Sequence, residues 1–470
     1  MKYVSTRGAA PVLGFDDVVL AGLARDGGLY VPQFWPRLSD ENLRAMAQLN
    51  YPALTARVMS PFAVPTIPET ELRELAVAAY AGFDHPQVAP LKRLAPRLWL
   101  LELFHGPTLA FKDFALQILG RLFDLILKRR GQRVTIVGAT SGDTGSAAIE
   151  ACRGRDAIDI FILHPRGRVS EVQRRQMTTV NAPNVHNIAV EGTFDDCQDL
   201  VKAMFNDGAF RDEMNLAAVN SINWARILAQ ITYYVYASLA LGGPGQPVAF
   251  AVPTGNFGNV FAAYAARLLG APIARLVIGS NRNDILTRFF ATGRMETGEV
   301  FPTLSPSMDI QISSNFERLL FELYERDGGT VSALMDTFKT QRAFQVDPGR
   351  WRRATGVFSA FRIDDEATKA TIRSVYEETG ELLDPHSAIG VAAARSIRTD
   401  EGIPVIAVAT AHPAKFPDAV EAATGIRPPL PPRLAELMDS PEHCAVLPAD
   451  LAAIEAYIVQ RVRAHDEARP

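Results

Sequence analysis

A single lysine, Lys112, lies in a stretch whose surroundings suit covalent chemistry with an aldehyde. The segment 104–114 reads FHGPTLAFKDF, so a Gly-Pro turn leads to a lysine between two phenylalanines. Apolar residues then recur at helical spacing, which predicts a helix that begins near Lys112 and ends by Gly131. Aromatic neighbours and the positive helix end both disfavour an ammonium, so the amine is a candidate nucleophile. A lysine with a buried stem and a solvated amine is the commoner arrangement and stays an alternative.

A glycine-rich turn follows an apolar strand and precedes a predicted helix over 260–270. It consists of Gly255, Asn256, Phe257, Gly258 and Asn259. Its backbone N–H groups can converge at the positive end of the helix, and the glycines let the backbone approach phosphate oxygens. The turn matches neither G-x-x-x-x-G-K-[ST] nor G-x-G-x-x-G, which favours a phosphate over a nucleotide. An ordinary turn between a strand and a helix explains the same residues.

A second polar turn also lies between a predicted strand and a predicted helix, the latter over 146–153. It contains Thr140, Ser141, Gly142, Asp143 and Thr144. Hydroxyls and free N–H groups at a helix N-terminus form a cup that suits a carboxylate. Serine, threonine and aspartate are also the residues of an ordinary helix cap, so a purely structural role is the alternative.

The elements that carry these turns alternate between strand and helix patterns. Six β-rich runs, 133–139, 158–163, 185–190, 247–252, 273–279 and 403–409, predict an α/β fold with largely parallel, buried strands. In such sheets ligands bind beyond the carboxyl ends of the strands, where the polar turns 140–146, 253–259 and 410–416 lie. Residues 1–97, with helical stretches at 39–50 and 69–82 broken by prolines, predict a helical N-terminal region.

Length predicts more than one hydrophobic core. Single domains rarely exceed about 250–300 residues, and this chain has 470. We expect a helical region over 1–97, a smaller α/β domain over 98–230, a larger one over 231–430 and a helical extension over 431–470, with the site between the two α/β domains. A final helix is expected over 449–465.

Composition narrows the classes of partner. The 48 basic and 52 acidic residues give a net charge of -4 without a basic block, so neither nucleic acid nor an anionic membrane is expected as a partner. Three scattered cysteines fit neither a disulfide framework nor a metal site, and no metal is expected. We found no secretory leader and no membrane-spanning run, so a cytoplasmic protein is expected.

Six motifs together resemble the longer, bacterial and fungal type of threonine synthase. This family belongs to the tryptophan-synthase-β-like, fold type II enzymes that use pyridoxal phosphate. The motifs are MKYVSTRG at 1–8, FHGPTLAFKDFALQ at 104–117, GATSGDTGSAA at 138–148, SINWARI at 221–227, PTGNFGN at 253–259 and TAHPAKF at 410–416. They occur in the family's order across most of the chain. The resemblance implies two open α/β domains with pyridoxal 5'-phosphate in the cleft between them.

The resemblance also assigns cofactor residues. It implies that Lys112 forms the Schiff base with the cofactor and that the turn 255–259 holds the cofactor phosphate. Thr410 is then the hydroxyl partner of the pyridine nitrogen. Asp143 takes the place of an asparagine that lies beside the cofactor's 3'-oxygen in the wider fold, so Asp143 is expected near the ring.

The substrate implied by the resemblance is O-phospho-L-homoserine, which carries a carboxylate and a second phosphate. The cup of Thr140, Ser141, Gly142 and Thr144 is expected to receive the carboxylate. For the phosphate the motif at 221–227 offers the residues Ser221, Asn223 and Arg226. Arginine can grip phosphate with two hydrogen bonds, although Ser221 or Asn223 could simply cap a helix.

Four further residues are weaker candidates. Thr6 and Arg7 could bind the same phosphate. His105 and His412 flank the motifs, where a histidine more often positions or packs than catalyses.

The reaction implied is a β,γ-replacement that gives L-threonine and phosphate. Three alternatives stay open at this point. A serine or threonine dehydratase or a cysteine-synthase-like enzyme would carry a similar lysine and glycine turn. A simple phosphatase would need a nucleophile or metal ligands that the sequence does not offer, and a non-catalytic phosphate-binding protein would lack a lysine-linked cofactor. The chain is expected to act as a monomer or a homodimer.

Overall fold

The structure is a computed structural model that describes residues 1–218, 220–397 and 402–467, with side chains up to residue 462. Its helices, in chain order, are α1 Phe15–Ala21, α2 Asp40–Met46, α3 Tyr51–Ala63, α4 Glu69–Tyr80, α5 Lys112–Arg130, α6 Asp143–Cys152, α7 Glu171–Thr178, α8 Phe194–Asn206, α9 Gly208–Glu213, α10 Trp224–Ala240, α11 Gly258–Leu269, α12 Ile285–Thr292, α13 Phe316–Leu323, α14 Gly328–Gln341, α15 Pro348–Thr355, α16 Asp365–Thr379, α17 Pro385–Ser396, α18 Pro417–Thr424 and α19 Leu451–Glu467. Short 3₁₀ helices cover Pro306–Met308, Pro413–Lys415 and Pro432–Met438.

The strands are mostly short. In chain order they are β1 Tyr3–Ser5, β2 Tyr30–Pro32, β3 Leu91–Ala95, β4 Leu98–Glu102, β5 Val134–Ala139, β6 Ile158–Pro165, β7 Val185–Glu191, β8 Leu216–Ala217, β9 Val248–Pro253, β10 Ile273–Ser280, β11 Arg294–Glu296, β12 Ala343–Gln345, β13 Phe358–Arg362, β14 Val405–Ala409 and β15 Ala445–Pro448.

The chain folds into two compact units that are discontinuous in sequence. Unit 1 comprises Met1–Val18, Leu23–Ala115 and Ser221–Pro428. Unit 2 comprises Val19–Gly22, Leu116–Asn220 and Pro429–Pro470. Each unit is built around its own sheet.

Unit 1 contains a six-stranded sheet in the order β13-β10-β9-β14-β4-β3. Its strands are parallel except for the edge strand β3, which pairs antiparallel with β4. Every residue of β9 and β14 is buried, as expected for central strands that are covered on both faces. Because β4, β14 and β9 run the same way, the turns that follow them lie at one edge of the sheet. Two-stranded ribbons, β1-β2 and β11-β12, complete this unit.

Unit 2 contains a five-stranded sheet in the order β15-β7-β6-β5-β8, in which all neighbouring strands are parallel. The central strand β6 is buried along its whole length. Helices α8 and α19 contribute apolar side chains to the core beside it, including Cys197, Met204, Ile454 and Ile458. The turn predicted to form a carboxylate cup directly follows β5.

The predicted α/β class and largely parallel strands are confirmed. All six predicted strands exist as β5, β6, β7, β9, β10 and β14, with bounds that differ by one or two residues. The helical N-terminal region is present as α1 to α4, and it also contributes strands to sheets of unit 1. Helix α6 begins at Asp143 instead of residue 146, because Gly142 serves as its N-cap. Among the described residues no helix is long and apolar enough to cross a membrane.

Candidate functional site

The lysine segment and the segment after β14 are tied together in unit 1. The N–H of Phe111 donates to the carbonyl of Thr410 over 2.8 Å, and the N–H of His412 donates to the carbonyl of Leu109 over 3.0 Å. Ala110 and Ala411 form an isolated antiparallel bridge between the two segments. These bonds fix Lys112, the first residue of α5, beside Thr410 along the backbone. Two of the predicted cofactor residues are therefore brought together by the fold.

Lys112 is half-buried, and its Nζ lies 6.0 Å from the centroid of the Phe111 ring. The following residue, Asp113, is fully buried and holds the turn before the lysine. Its carboxylate accepts hydrogen bonds from the N–H and the hydroxyl of Thr108, over 2.8 and 2.6 Å. Burial raises the pKa of Asp113 to about 6, against the lowering effect of Thr108 and the nearby Lys415. The lysine is thus placed by a rigid, hydrogen-bonded turn.

The glycine-rich turn between β9 and α11 is tightly packed against its own unit. Phe257 is buried and has a left-handed backbone, with φ 62°, which is rare for a large side chain and marks a constrained turn. A Cβ on Gly255 would lie 3.1 Å from Cα of Met308, and one on Gly258 would lie 3.3 Å from Nδ2 of Asn315. The turn therefore lies close to its neighbours at both glycines, and a larger residue at either position would require these neighbours to shift.

Asn259, in the first turn of α11, presents a buried donor. Its Oδ1 accepts hydrogen bonds from the hydroxyls of Tyr233 and Tyr234, each over 2.6 Å. Since a hydroxyl that donates must face the amide oxygen, the two tyrosines fix which way the amide points. The Nδ2 atom is buried and has no hydrogen-bond partner among the described residues. An acceptor such as a phosphate oxygen would satisfy it.

Arg226 is a buried cation that has two unpartnered donor atoms. It lies on α10 with 4% of its surface exposed, and its Nε and Nη1 atoms are buried without a partner in the described chain. Desolvation by burial lowers the pKa of its guanidinium to about 10. Leaving a buried charge unpaired is costly, so the arrangement favours an anion at this position.

Arg226 and Asn259 are linked through one helix. The carbonyl of Arg226 accepts a hydrogen bond from Nε2 of Gln230 over 2.8 Å. The Oε1 of Gln230 lies 3.0 Å from the hydroxyl of Tyr233, which contacts Asn259. The backbone of Arg226 and the side chain of Asn259 are therefore connected through Gln230 and Tyr233.

The other residues of the 221–227 motif have structural partners. The Oδ1 of Asn223 accepts a hydrogen bond from the N–H of Ala225 over 2.9 Å, so Asn223 caps α10. The Oγ of Ser221 lies 3.3 Å from Oγ of Ser314, which in turn donates to Oδ1 of Asn256 over 3.2 Å. The motif is thereby connected to the glycine-rich turn.

A buried pair that the sequence analysis missed, Asn315 and Arg318, fixes this connection. Asn315 Nδ2 donates to the carbonyls of Asn256 and Ser221, over 3.0 and 3.3 Å. Arg318 donates to the carbonyl of Ile222 over 2.6 Å and also contacts Oδ1 of Asn315. Desolvation lowers the pKa of Arg318 to about 9. No local pattern identifies these residues, because their partners are backbone carbonyls far away in sequence.

Four weaker candidates have other partners. Arg7 forms two hydrogen bonds to Glu317, over 3.1 and 3.0 Å, and Thr6 donates to the same carboxylate over 2.6 Å. His412 caps the following 3₁₀ helix by accepting the N–H of Ala414 over 3.1 Å. His105 lies between the carboxylates of Asp84 and Glu102.

The turn after β5 in unit 2 is organised by Thr140. Its hydroxyl oxygen accepts hydrogen bonds from the N–H groups of Gly142 and Gly145, over 3.0 and 2.9 Å. Gly142 has φ 148°, and a Cβ there would lie 2.5 Å from the side chain of Gln173. Ser141 is exposed and Thr144 is half-buried. The turn is compatible with an anion at the start of α6.

Asp143 is almost completely buried in the first turn of α6. Its Oδ1 accepts a hydrogen bond from Nε2 of Gln173 over 2.8 Å, and Gln173 Oε1 accepts one from Ser170 over 2.8 Å. A carboxylate in the first turn also interacts favourably with the positive end of the helix. Asp143 is therefore held in one orientation by α7 and the residue that caps it.

Family models match nearly the whole chain. A model described as "Threonine synthase N terminus" matches residues 2–80, and one described as "Pyridoxal-phosphate dependent enzyme" matches residues 84–351. A third, "Threonine synthase, C-terminal", matches residues 387–458.

Relatives and solved structures agree with these matches. The chain is 55% identical to the threonine synthase of Pseudomonas aeruginosa, over 98% of each chain. The pyridoxal-phosphate-bound threonine synthase of Brucella melitensis has 53% identity and a TM-score of 0.97, over 98% of this chain and 100% of that one. The yeast threonine synthase structure has 40% identity and a TM-score of 0.94, over 98% of this chain and 99% of that chain. The chain belongs to the threonine synthase family and is a fold type II, pyridoxal-phosphate-dependent enzyme.

Proposed function

We propose that this enzyme converts O-phospho-L-homoserine and water into L-threonine and phosphate. The observation that carries the proposal is that Nε and Nη1 of Arg226 are buried and unpartnered in the same unit as a separate glycine-rich turn. A cofactor phosphate would occupy only one anion site. A substrate with its own phosphate accounts for the second.

The described residues fit pyridoxal 5'-phosphate. The turn of Gly255, Asn256, Phe257, Gly258 and Asn259 opens α11, where the first N–H groups have no acceptor within the helix. The buried Nδ2 of Asn259 is a further unsatisfied donor. These donors would hold the cofactor phosphate, and Lys112 would link covalently to the cofactor aldehyde.

When bound, the cofactor supplies an electron sink for bonds that break at the substrate α- and β-carbons. The amine of Lys112 is proposed to carry protons at the α-, β- and γ-carbons of the substrate. The Thr410 hydroxyl is proposed to face the pyridine nitrogen. Because a hydroxyl is neutral, it leaves that nitrogen largely unprotonated, a state that favours elimination and replacement over transamination.

The substrate is proposed to be oriented by its two anionic groups. Arg226 would bind the phosphate, with Ser221 and Asn223 beside it. In unit 2, the turn of Thr140, Ser141, Gly142 and Thr144 would bind the carboxylate. Thr140 supports the turn through its own hydrogen bonds, so its contribution would be mainly to shape. Asp143 is proposed to lie near the cofactor ring, held by Gln173.

The test is Arg226→Met, which removes the charge but keeps an unbranched side chain in the buried space. We expect kcat/KM for phosphohomoserine to fall about a hundredfold or more, as for the loss of a charge-assisted hydrogen bond, while the cofactor Kd changes less than about threefold. The ligand-free protein should not lose stability, because the variant removes an unpaired buried charge.

Arg275→Ala is a suitable control. Arg275 is a half-buried arginine of the same unit, and its guanidinium donates to Oγ of Ser359 over 2.8 and 3.0 Å. We expect this variant to keep both kcat/KM and cofactor affinity. An equal loss of substrate and cofactor binding in Arg226→Met would contradict the proposal of two separate anion sites.

A further inference from the structure

The start of α17 carries a buried carboxylate with more partners than a helix cap requires. Asp384 is fully buried and precedes Pro385, the first residue of the helix. Its side chain accepts the N–H groups of His386 and Ser387, over 2.9 and 3.2 Å, which is an ordinary N-cap. It also binds Nδ1 of His386 over 2.9 Å and the hydroxyl of Ser387. These two additional bonds are not needed to cap the helix.

The bond from Ser387 to Asp384 leads to Thr410. Because Ser387 donates its only hydroxyl hydrogen to Asp384, its oxygen is left as an acceptor. That oxygen accepts the backbone N–H of Thr410 over 3.0 Å, and both residues are buried. The carbonyl of Thr410 is in turn bonded to the N–H of Phe111, next to Lys112. Asp384 thus orients the serine that holds the Thr410 backbone.

The bond from His386 to Asp384 leads to the segment behind the glycine-rich turn. A carboxylate only accepts, so Nδ1 of His386 carries the hydrogen, and Nε2 is free to accept the N–H of Ser307 over 3.3 Å. A Cβ on Gly255 would lie 3.3 Å from the carbonyl oxygen of Ser307. The ring of His386 also packs on Phe416, with centroids 4.8 Å apart. His386 therefore fixes the backbone against which Gly255 lies.

Helix α17 packs closely on the sheet, which restricts the movement of Asp384, His386 and Ser387. A Cβ on Gly390 would lie 3.1 Å from Pro253, and one on Gly279 would lie 2.8 Å from Ile389, so the helix backbone packs directly on β9 and β10. Such close packing leaves little freedom for the first turn of the helix. A small displacement of Asp384 would therefore also displace Ser387 and His386.

We propose that Asp384 is a positioning residue for the cofactor, acting through two separate arms. Ser387 sets the position of Thr410 at the ring, and His386 sets the backing of Gly255 at the phosphate. This inference rests on the proposed function, because it takes Thr410 and the 255–259 turn as cofactor contacts. Asp364 is an ordinary cap for comparison. It is exposed and caps the adjacent helix α16 by accepting the N–H of Ala367 over 2.9 Å.

The experiment separates the arms by magnetic resonance of the holoenzyme, loaded with pyridoxal phosphate labelled at the ring nitrogen. Ser387→Ala should shift the ¹⁵N resonance of the ring and leave the ³¹P resonance in place. His386→Leu should shift the ³¹P resonance and weaken cofactor binding about three- to tenfold, as for one lost neutral hydrogen bond, with the ¹⁵N resonance retained. Asp384→Asn should move both resonances.

Thr368→Val is the matched control, because Thr368 is buried in α16 and its hydroxyl donates to the carbonyl of Asp364 over 2.8 Å. It should lower stability without moving either resonance. The proposal would be overturned if Ser387→Ala and His386→Leu moved neither signal, or moved both signals together. These two variants decide the question even if Asp384→Asn does not fold. Wild-type protein that forms no lysine-linked cofactor would instead reject the proposed function, and this inference with it.

Discussion

Lys112 combines two proposed tasks, anchoring the cofactor and carrying protons, in one half-buried side chain. Its position depends on the turn held by Asp113 and Thr108, and on the backbone bonds that join Phe111 to Thr410. Backbone groups and the side chains of Asp113 and Thr108 supply these bonds. Replacing Lys112 is therefore expected to alter chemistry more than structure.

We expect Lys112→Ala to bind pyridoxal phosphate through the 255–259 turn but to lose nearly all turnover. The absorbance band near about 410–420 nm, which a lysine-linked cofactor gives and borohydride abolishes, should be missing. Absorbance and cofactor titration of the purified variant measure both effects. If the band persists, another lysine is the anchor.

The sequence nominated candidate site residues, but it could not predict which groups those residues contact. The motif at 221–227 identified Arg226, and its lack of a partner supports an anion there. The same motif left open whether Asn223 caps a helix, and the structure shows that it does. Asn315 and Arg318 were not predictable, because carbonyls more than fifty residues away in sequence define their role.

At the scale of elements, β4 and the segment before β3 are joined by His105. Its Nδ1 lies 2.8 Å from Oδ1 of Asp84, and its Nε2 lies 2.8 Å from Oε2 of Glu102. Burial lowers the pKa of His105, but hydrogen bonds to Glu102 and Asp84 more than offset this and raise the pKa above its usual value. When it is protonated, the imidazole forms ion pairs with both carboxylates and stabilises this region.

A raised pKa in the folded state predicts a specific dependence of stability on pH. The folded protein holds the proton more tightly than the unfolded chain does, so the contribution of His105 is complete below the usual histidine pKa. It is lost as the pH rises through the folded-state pKa. The unfolding free energy of wild type should therefore fall relative to that of His105→Gln on going from pH 6 to pH 9.

Denaturant titrations of both proteins across this range measure the difference. Thr368→Val, which removes no ionisable group, serves as a control for an unrelated loss of stability, and its difference from wild type should stay constant with pH. A constant difference for His105→Gln as well would show that the two carboxylates do not hold a proton on His105.

Element boundaries were predicted where periodicity was strong and missed where it was weak. The strands β6, β9 and β10 are rich in buried apolar residues, and their positions were predicted to within two residues. The edge strand β3, with half-buried and exposed residues, has no such run. Helix α6 begins three residues early because Gly142 caps it without a side chain, so the polar residues indicated a start but not which residue begins it.

At the scale of the whole molecule, the two units contribute unequal numbers of the proposed site residues. Unit 1 carries Lys112, Thr410, the 255–259 turn and Arg226, whereas unit 2 carries the turn that begins at Thr140. Unit 1 thus carries the proposed cofactor and phosphate contacts together with the proposed proton carrier. The proposed reaction differs from that of a phosphatase in the bond that breaks. In β,γ-replacement this is the bond between Cγ and the phosphate oxygen.

Isotopes follow that bond directly. If phosphate leaves by elimination, it keeps all of its original oxygens, and the solvent oxygen enters at Cβ. Water labelled with heavy oxygen should therefore mark threonine and not phosphate. In deuterated water, label should also appear at Cα and in the methyl group, because Lys112 is proposed to return protons to these carbons. Mass spectrometry of both products reads the result.

The competing chemistry predicts the opposite distribution. A phosphatase attacks phosphorus, so solvent oxygen would enter phosphate, homoserine would be released and every carbon-bound hydrogen would be kept. Lys112→Ala provides the control, because it should abolish incorporation at both oxygen and carbon while any contaminating phosphatase would continue to label phosphate. Labelled phosphate together with unlabelled homoserine in wild type, absent from a mock purification, would reject β,γ-replacement for this chain even though it belongs to the threonine synthase family.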